Sequence, residues 1–117
     1  AINALKTCDY VYVHLEAPDE CGHRREAENK VKAIELIDQK IVKPLLDALT
    51  GEDFKMLILP DHPTPIATAT HSREPVPFLL YDSTEVQSGV DTFTEANAQS
   101  TGLFIERGPM LIKMMLN

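Results

Sequence analysis

The sequence predicts an α/β fold with parallel strands, and three features of the chain lead to this prediction. Residues 9–16 alternate between apolar and polar side chains. Residues 24–49 repeat apolar residues at helical spacing, and residues 56–59 form a short, wholly apolar run. Strand, helix and strand within about fifty residues make a βαβ unit, whose strands pair in parallel through a right-handed crossover. Both strands then end at the same edge of the sheet.

The first predicted strand, residues 9–16, has the residue types of a half-buried strand. Val11, Val13 and Leu15 fall on one face. The other face carries two tyrosines followed by His14 and Glu16. Such β-branched and aromatic residues favour strands. Because His14 lies within the strand, the sequence favours a hydrogen-bonded structural role over direct metal binding for this residue.

The predicted helix at residues 24–49 is amphipathic. Its apolar positions lie among Glu, Lys and Asp and are Ala27, Val31, Ile34, Ile41, Leu45 and Leu49. Pro44 has no N–H to donate, so we expect it to kink or divide the helix. Gly51 follows the last apolar position and suits a left-handed cap that ends the helix.

The remaining elements are shorter. A loop punctuated by prolines, residues 60–77, precedes a third predicted strand at residues 76–81. Residues 83–89 are turn-like, and residues 92–99 predict one or two helical turns. Residues 109–116 predict a terminal helix with proline in its first turn.

Composition and charge limit the classes of function. The chain has 117 residues, of which 44% are hydrophobic and 25% charged, as is typical of one soluble globular domain. Its net charge is −7 and no segment concentrates the basic residues, so we expect no nucleic-acid partner. The longest apolar runs are far shorter than the ~20 residues of a membrane span, so we expect no membrane partner and a cytoplasmic location.

Two further features bear on redox state and completeness. Cys8 and Cys21 are too few for a disulfide framework and are predicted to be reduced thiols. The chain starts at Ala1 rather than at Met, which predicts a piece of a longer polypeptide. Since part of a sheet exposes a strand edge or an apolar face, we expect the isolated piece to self-associate.

Polar clusters follow both strands of the predicted βαβ unit, at residues 17–23 and 60–65, and ligands gather at such strand ends in α/β sheets. A later histidine precedes the third strand and reaches the same edge if that strand is antiparallel or the loop folds back. The ligand-type side chains are Asp19, His23, Asp61, His62 and His71. Mixed carboxylate and imidazole ligands are typical of catalytic sites for Zn²⁺, Mn²⁺ or Fe²⁺. Five ligands are too few for two ions, so others would come from elsewhere.

Each of these residues has a simpler interpretation. An Asp-x-x-x-His pair arises often by chance, and Asp and His are common in turns. Cys21 is a soft metal ligand or, more simply, a small, partly buried thiol. Three arginines near the predicted site either grip a phosphate group or are solvated surface residues: Arg24, Arg25 and Arg73.

Several segments together carry a family resemblance: residues 12–23 (YVHLEAPDECGH), 43–46 (KPLL), 59–66 (LPDHPTPI), and 70–71 (TH) leading into 75–78 (PVPF). They resemble the carboxyl-terminal part of the archaeal-type, 2,3-bisphosphoglycerate-independent phosphoglycerate mutases, which are metalloenzymes of the alkaline phosphatase superfamily. The resemblance implies a three-layer, mostly parallel sheet with helices on both faces. Residues 1–117 would be the carboxyl-terminal part of its metal-binding catalytic domain.

The resemblance also implies an activity. Such enzymes interconvert 3-phosphoglycerate and 2-phosphoglycerate, in glycolysis and gluconeogenesis, through a phosphoserine intermediate. The implied partner is a small phosphorylated substrate, and the implied cofactors are two divalent ions, Mn²⁺ foremost, with Mg²⁺, Zn²⁺ or Co²⁺ as alternatives. One ion would be bound by Asp19, His23 and His71, and the other by Asp61 and His62. The serine nucleophile and a further Asp ligand would lie outside this chain, so the isolated chain is expected to be inactive.

Two departures from the family pattern concern residues that are not metal ligands. Members often carry Arg where this chain has Ala69, and a small turn residue is usual near Arg25. Both departures bear on substrate binding. Two alternatives stay open: another phosphotransferase or phosphatase of the same superfamily, and a non-catalytic module whose fold persists as a protein-binding surface.

Overall fold

Short helices dominate the computed structural model, which describes residues 1–85 and 88–117. In chain order the described elements are α1 (Ile2–Leu5), α2 (Ala17–His23), α3 (Ala27–Ile37), a π-helical segment (Asp38–Val42), α4 (Lys43–Ala48), β1 (Lys55–Ile58), β2 (Leu79–Asp82), α5 (Glu95–Ser100) and α6 (Pro109–Leu116). The chain divides into two units. The helical unit comprises Ala1–Gly51 and Pro63–Arg73, and the hairpin unit comprises Glu52–His62 and Glu74–Asn117.

The predicted long helix of the helical unit is present but divided, as the position of Pro44 predicted. The α-helical geometry of α3 gives way to the π-helical segment Asp38–Val42, and α4 begins at Lys43 with Pro44 in its first turn. A proline cannot donate to the carbonyl four residues earlier and its ring crowds that carbonyl, so the backbone widens there by one residue. The helix ends before Gly51, whose φ of 90° gives the left-handed stop that was predicted.

Helix α2 ends in a Schellman motif, and its left-handed position holds an arginine. The N–H of Glu26 donates to the carbonyl of Cys21 (2.9 Å), and the N–H of Arg25 donates to that of Gly22 (3.1 Å). Arg25 has a φ of 60°, a conformation that costs a non-glycine residue about 1 kcal/mol. This turn reverses the chain so that α3 packs against α2.

A two-stranded antiparallel ladder forms the centre of the hairpin unit. Residues pair in the register Lys55↔Asp82, Met56↔Tyr81, Leu57↔Leu80 and Ile58↔Leu79. The ladder is closed at its start because the N–H of Phe54 donates to the hydroxyl of Ser83 (2.8 Å) and the N–H of Ser83 donates to the carbonyl of Phe54 (3.0 Å). The rings of Phe54 and Tyr81 lie 5.5 Å apart. The two strands thus pair directly with each other in antiparallel fashion, and the chain between them, residues 59–78, contains no crossover helix.

The two predicted carboxyl-terminal helices are present. Helix α5 begins after Thr94, whose hydroxyl accepts a hydrogen bond from the N–H of Asn97 (3.2 Å), as an N-cap does. Helix α6 spans the predicted residues 109–116, begins with Pro109, and lies against β1. Of the predicted turn at residues 83–89, residues 86 and 87 lie outside the described residues.

The strand predicted at residues 9–16 is absent, and the pairing that does form is antiparallel. Residues 10–16 adopt no regular secondary structure, and Tyr12 is 70% exposed. An alternating pattern marks two faces, but a strand also needs a neighbouring backbone to pair with, and β1 pairs with β2 instead. The βαβ crossover is therefore wrong for this structure. The described residues form no three-layer sheet, which stays a prediction for the complete domain.

Little apolar surface is buried within these residues. Leu111 is the one buried hydrophobic residue among those described, whereas Val31, Ile34, Leu103 and Phe104 are each more than half exposed. No described helix is long and apolar enough to span a membrane. A chain of this size normally buries well over half of the surface that its unfolded form exposes, so the apolar surface exposed here is unusually large.

We expect the isolated 117-residue chain to self-associate because association covers its exposed apolar residues. Light scattering across the micromolar range should give a mass that rises with concentration. A constant monomer mass would contradict this expectation.

We expect the hairpin unit to lose stability on acidification through Asp82. Hydrogen bonds from the hydroxyl and N–H of Thr84, aided by Lys55, hold the pKa of Asp82 below its ordinary value. A lowered pKa in the folded state adds stability above the unfolded value of about 3.9, and this stability disappears as the pH falls through the folded value.

The variant Thr84→Val tests this because it removes the hydroxyl at nearly constant volume. It should be less stable than wild type at neutral pH, and the two unfolding curves should converge at acidic pH. Thr84→Ser keeps both donors and should follow wild type. An equal loss for Thr84→Val at all pH values would exclude the ionised carboxylate as the cause.

Candidate metal centre

Asp19 and His23 are brought together by helix α2. They are four residues apart on this helix, so both side chains project from the same face. The Oδ2 atom of Asp19 lies 3.2 Å from Nε2 of His23. Pro18 in the first turn favours the start of the helix, because the N–H that proline lacks would have no partner there. The sequence predicted a polar cluster after a strand here, and in the structure the two side chains instead share one face of a helix.

Loop 63–73 brings His71 back to that face. The loop closes on itself through hydrogen bonds from the N–H of Ser72 to the carbonyl of Pro63 (3.1 Å) and from the N–H of Ala69 to that of Pro65 (2.9 Å). Nε2 of His71 then lies 3.2 Å from Nε2 of His23 and 3.5 Å from Oδ1 of Asp19. The loop folds back, which is one of the two ways by which the sequence allowed His71 to join the others.

The separations between the three side chains fit a metal ion. Asp19, His23 and His71 offer ligand atoms that all lie within 4.8 Å of one another. Metal–ligand bonds of about 2.1 Å place neighbouring ligands of a tetrahedral or octahedral ion about 3.0–3.4 Å apart. Nε2 of His23 lies at such a distance from both Oδ2 of Asp19 and Nε2 of His71, 3.2 Å in each case, and Nε2 of His71 lies slightly farther, 3.5 Å, from the other carboxylate oxygen, Oδ1 of Asp19. Three protein ligands also leave coordination positions open, as catalytic sites require.

The tautomer of His23 suits this arrangement. Its Nδ1 lies 3.0 Å from the carbonyl oxygen of Ala69. A carbonyl only accepts, so the Nδ1 atom carries the hydrogen and a neutral ring presents its lone pair at Nε2. This is the common pattern for a metal-binding histidine, whose second nitrogen donates to a backbone carbonyl. Ala69 presents its carbonyl from a left-handed backbone with φ of 55°.

Thr64 fixes the orientation of the Asp19 carboxylate, and the sequence analysis did not identify it. Its side chain is buried, and its hydroxyl donates to Oδ1 of Asp19 in a short hydrogen bond. The carbonyl of Thr64 accepts from Nζ of Lys30 at 2.6 Å. A threonine between two prolines gives no signal of this role, because the contact depends on how the loop meets α2.

Gly22 allows loop 63–73 to contact helix α2 closely. It is buried on α2, and a Cβ atom at this position would lie 2.6 Å from the carbonyl oxygen of Thr64 and 2.9 Å from both its methyl carbon and Nζ of Lys30. Real Cβ atoms do not approach a backbone oxygen so closely. The glycine of the D-x-x-G-H sequence therefore lets loop 63–73 touch the helix that carries Asp19 and His23.

Asp61 and His62 form a separate pair in the hairpin unit, directly after β1 and Leu59–Pro60. Nε2 of His62 lies 3.3 Å from Oδ2 of Asp61, and the N–H of His62 donates to Oδ1 of Asp61 at 3.1 Å. The described residues contain one group that reaches three metal-binding side chains, and this pair is not in it. The binding of a second ion by this pair remains a prediction.

The other candidates have structural contacts. Cys21 and Cys8 are free thiols, as predicted, and Cys21 is outside the metal-binding group. His14 lies 3.4 Å from the Tyr12 hydroxyl and 3.7 Å from Glu16, in agreement with the hydrogen-bonded role.

Two of the arginines also have protein partners. Arg24 pairs with Glu20 on the same helix at 3.0 Å. Arg25 donates to two backbone carbonyls, those of Ile66 (3.0 Å) and Ala67 (2.6 Å). Its guanidinium therefore binds loop 63–73, although the residue is exposed to solvent.

The sequence matches one known protein superfamily. The profile of the Metalloenzyme superfamily matches residues 1–116. Proteins of that superfamily use divalent metal ions. No solved structure matches the chain.

Relatives with curated names are similar over most of this chain. The 2,3-bisphosphoglycerate-independent phosphoglycerate mutase of Methanothrix thermoacetophila is 43% identical over 99% of this chain and 30% of its own length. A probable enzyme of the same name from Geobacter sulfurreducens is 44% identical over 100% of this chain and 30% of its own length. The second such enzyme of Methanothermobacter thermautotrophicus is 48% identical over 80% of this chain and 24% of its own. The chain thus spans about a third or less of the length of these relatives.

We expect Gly22→Ala to destabilise the helical unit and to weaken divalent metal binding. The new methyl group meets the backbone of Thr64, so the loop must move, at a cost of about 1–3 kcal/mol. Gly108→Ala is the matched control, since its Cβ meets nothing within 4 Å and its φ of −46° suits alanine. Thermal unfolding and calorimetric titration with Mn²⁺ measure both effects. Equal behaviour of the two variants would show that the loop does not need this close approach.

Proposed function

The chain belongs to the Metalloenzyme superfamily, and on this premise we propose that it supplies the metal-binding, carboxyl-terminal part of the catalytic domain of a cofactor-independent phosphoglycerate mutase. The relatives named for this activity are 43–44% identical over nearly the whole of this chain. The proposed reaction interconverts 3-phosphoglycerate and 2-phosphoglycerate, and the proposed place of action is the cytoplasm. Because the chain spans about 30% of those relatives, the activity is proposed for the complete polypeptide.

The observation that carries this proposal is the three-ligand group of Asp19, His23 and His71. Two imidazoles and one carboxylate at ligand-to-ligand distances, with positions left open, suit a catalytic ion rather than a closed structural site. The donor types match Mn²⁺ and Zn²⁺, both of which accept nitrogen and oxygen ligands. The proposed native ion is Mn²⁺.

A second ion is proposed at Asp61 and His62. This pair offers one carboxylate and one imidazole side by side after β1, and its remaining ligands would come from outside these residues. Two-metal sites stabilise both the attacking and the leaving oxygen of a transferred phosphoryl group. The nucleophile is proposed to be a serine outside this chain, whose oxygen attacks the phosphoryl group, carries it as the glycerate hydroxyl leaves, and returns it to the other hydroxyl of the glycerate.

The chain's own residues would hold the ligands in place before an ion arrives. The hydroxyl of Thr64 occupies one lone pair of Asp19 Oδ1 and so limits rotation of the carboxylate. The carbonyl of Ala69 keeps the lone pair of His23 at Nε2. When bound, the ions supply positive charge that lowers the cost of the charge developing on the phosphoryl oxygens.

We expect the complete polypeptide that carries these residues to convert 3-phosphoglycerate to 2-phosphoglycerate with Mn²⁺ present and bisphosphoglycerate absent. His71→Ala and Asp61→Asn should each lower kcat at least about 100-fold, because a metal ligand is lost and the transition state is less stabilised. A coupled enolase assay measures the rate, and calorimetry counts the bound ions. Lys43→Gln is the control. Lys43 pairs with Asp47 on α4, so this variant should leave both measurements unchanged.

The outcomes separate the candidate functions. Two bound ions without mutase turnover would keep the metal site and redirect the substrate to another phosphate ester handled by this superfamily. Loss of one ion in His71→Ala and of the other in Asp61→Asn would assign the two sites. A polypeptide that binds no divalent ion would favour the non-catalytic protein-binding module.

A further inference from the structure

The backbone of loop 63–73 meets two cationic side chains from the helical unit. Nζ of Lys30 donates to the carbonyl of Thr64 at 2.6 Å. Nη1 of Arg25 donates to the carbonyls of Ile66 at 3.0 Å and Ala67 at 2.6 Å. Three carbonyls within four consecutive residues are therefore bound by two side chains that are 34 to 42 residues away in the sequence. The loop is attached to the helices mainly through its backbone.

The arginine is placed at this loop by the end of helix α2. Arg25 follows His23 by two residues and occupies the left-handed position of the Schellman motif, with φ of 60°. Glycine is the residue that such a position favours, because it has no Cβ atom to crowd the backbone. Arg25 adopts this strained backbone conformation, and its guanidinium binds two carbonyls at once, which glycine cannot do.

The attached segment leads directly to two groups of the metal centre. Ala67 is two residues before Ala69, whose carbonyl accepts from Nδ1 of His23. Ala69 is in turn two residues before His71, the third ligand-type side chain. Any displacement of residues 66–67 is transmitted along this short stretch to both groups.

We propose that Arg25 is a positioning residue that anchors loop 63–73 on helix α2 and thereby sets the affinity of Asp19, His23 and His71 for a divalent ion. Arg25 acts through the loop backbone, because its hydrogen bonds go to the carbonyls of Ile66 and Ala67. This inference rests on the proposed function only in its claim about metal affinity. The anchoring of the loop is independent of any ion.

The test uses the complete polypeptide that carries these residues and compares Arg25→Gly, Arg25→Lys and Arg24→Gln. Arg25→Gly removes the anchor and relieves the strained backbone, so loss of fold is not expected to obscure the result. Arg25→Lys keeps the charge but replaces the planar guanidinium by a single ammonium group. Arg24→Gln removes the neighbouring positive charge, whose partner is Glu20 and not the loop.

Two quantities are measured: Mn²⁺ affinity by electron paramagnetic resonance of the free ion, and amide hydrogen exchange without metal at Ala69 and Ser72. Both amides donate within the loop, to Pro65 and Pro63 respectively. Arg25→Gly should lower the affinity about tenfold, as is usual for residues that orient metal ligands, and should speed exchange at both amides. Arg25→Lys should lie between Arg25→Gly and wild type, and Arg24→Gln should match wild type.

The outcomes are distinguishable. If wild type binds Mn²⁺ and Arg25→Gly matches it in affinity and exchange, the inference is overturned while the proposed function stands. If affinity falls for Arg24→Gln as much as for Arg25→Gly, general charge rather than anchoring explains the effect, and the inference is again overturned. If wild type binds no Mn²⁺, the proposed function fails, and faster exchange in Arg25→Gly alone then supports the anchoring while unchanged exchange refutes it.

Discussion

The contact between loop 63–73 and the last turn of helix α2 is the constraint on which the candidate metal centre depends. Helix geometry by itself places Asp19 beside His23, but it has no means of recruiting a residue 48 positions further along the chain. Recruitment of His71 requires a loop backbone to approach the helix closely, and the absence of a side chain at Gly22 makes this approach possible. Thr64 is buried at this contact, and its hydroxyl donates to the carboxylate of Asp19 and so fixes the orientation of the carboxylate.

The same contact carries local strain, and the strain lies beside the site. Arg25 and Ala69 are the non-glycine residues with positive φ among those described, and they stand at the two sides of the contact. Each such conformation costs about 1 kcal/mol or more and persists only where surrounding interactions hold it. For Arg25 these are the bonds to the two loop carbonyls, and for Ala69 they include the bond from His23. The hydrogen bonds that hold these two strained residues also hold loop 63–73 and the ring of His23 in position.

Sequence patterns predicted those parts of the structure that depend on near neighbours. The division of the long helix at Pro44 and the cap at Gly51 each follow from rules that act within one or two helical turns. Helix α2, which places Asp19 beside His23, was not predicted, because residues 17–23 were interpreted as a polar cluster after a strand. The role of Thr64 and the use of Arg25 as a loop anchor could not be predicted in this way. Thr64 binds the carboxylate of Asp19 and Arg25 binds two loop carbonyls, and both contacts join residues more than 40 positions apart, which local sequence patterns do not predict.

At residues 9–16 a strong local pattern predicted a strand that the structure does not contain. Alternation of Val11, Val13 and Leu15 with polar side chains predicts a strand because it fits a sheet with one buried face. The burial and the pairing must both come from other backbone, and in the described residues β1 is already paired with β2 while Val13 and Leu15 remain about 40% exposed. The segment therefore has the side chains of a strand without its hydrogen bonds. Two side chains four residues apart on a helix come together through local geometry alone, whereas a strand needs a partner. The face of Asp19 and His23 is therefore present although the strand predicted at residues 9–16 is absent.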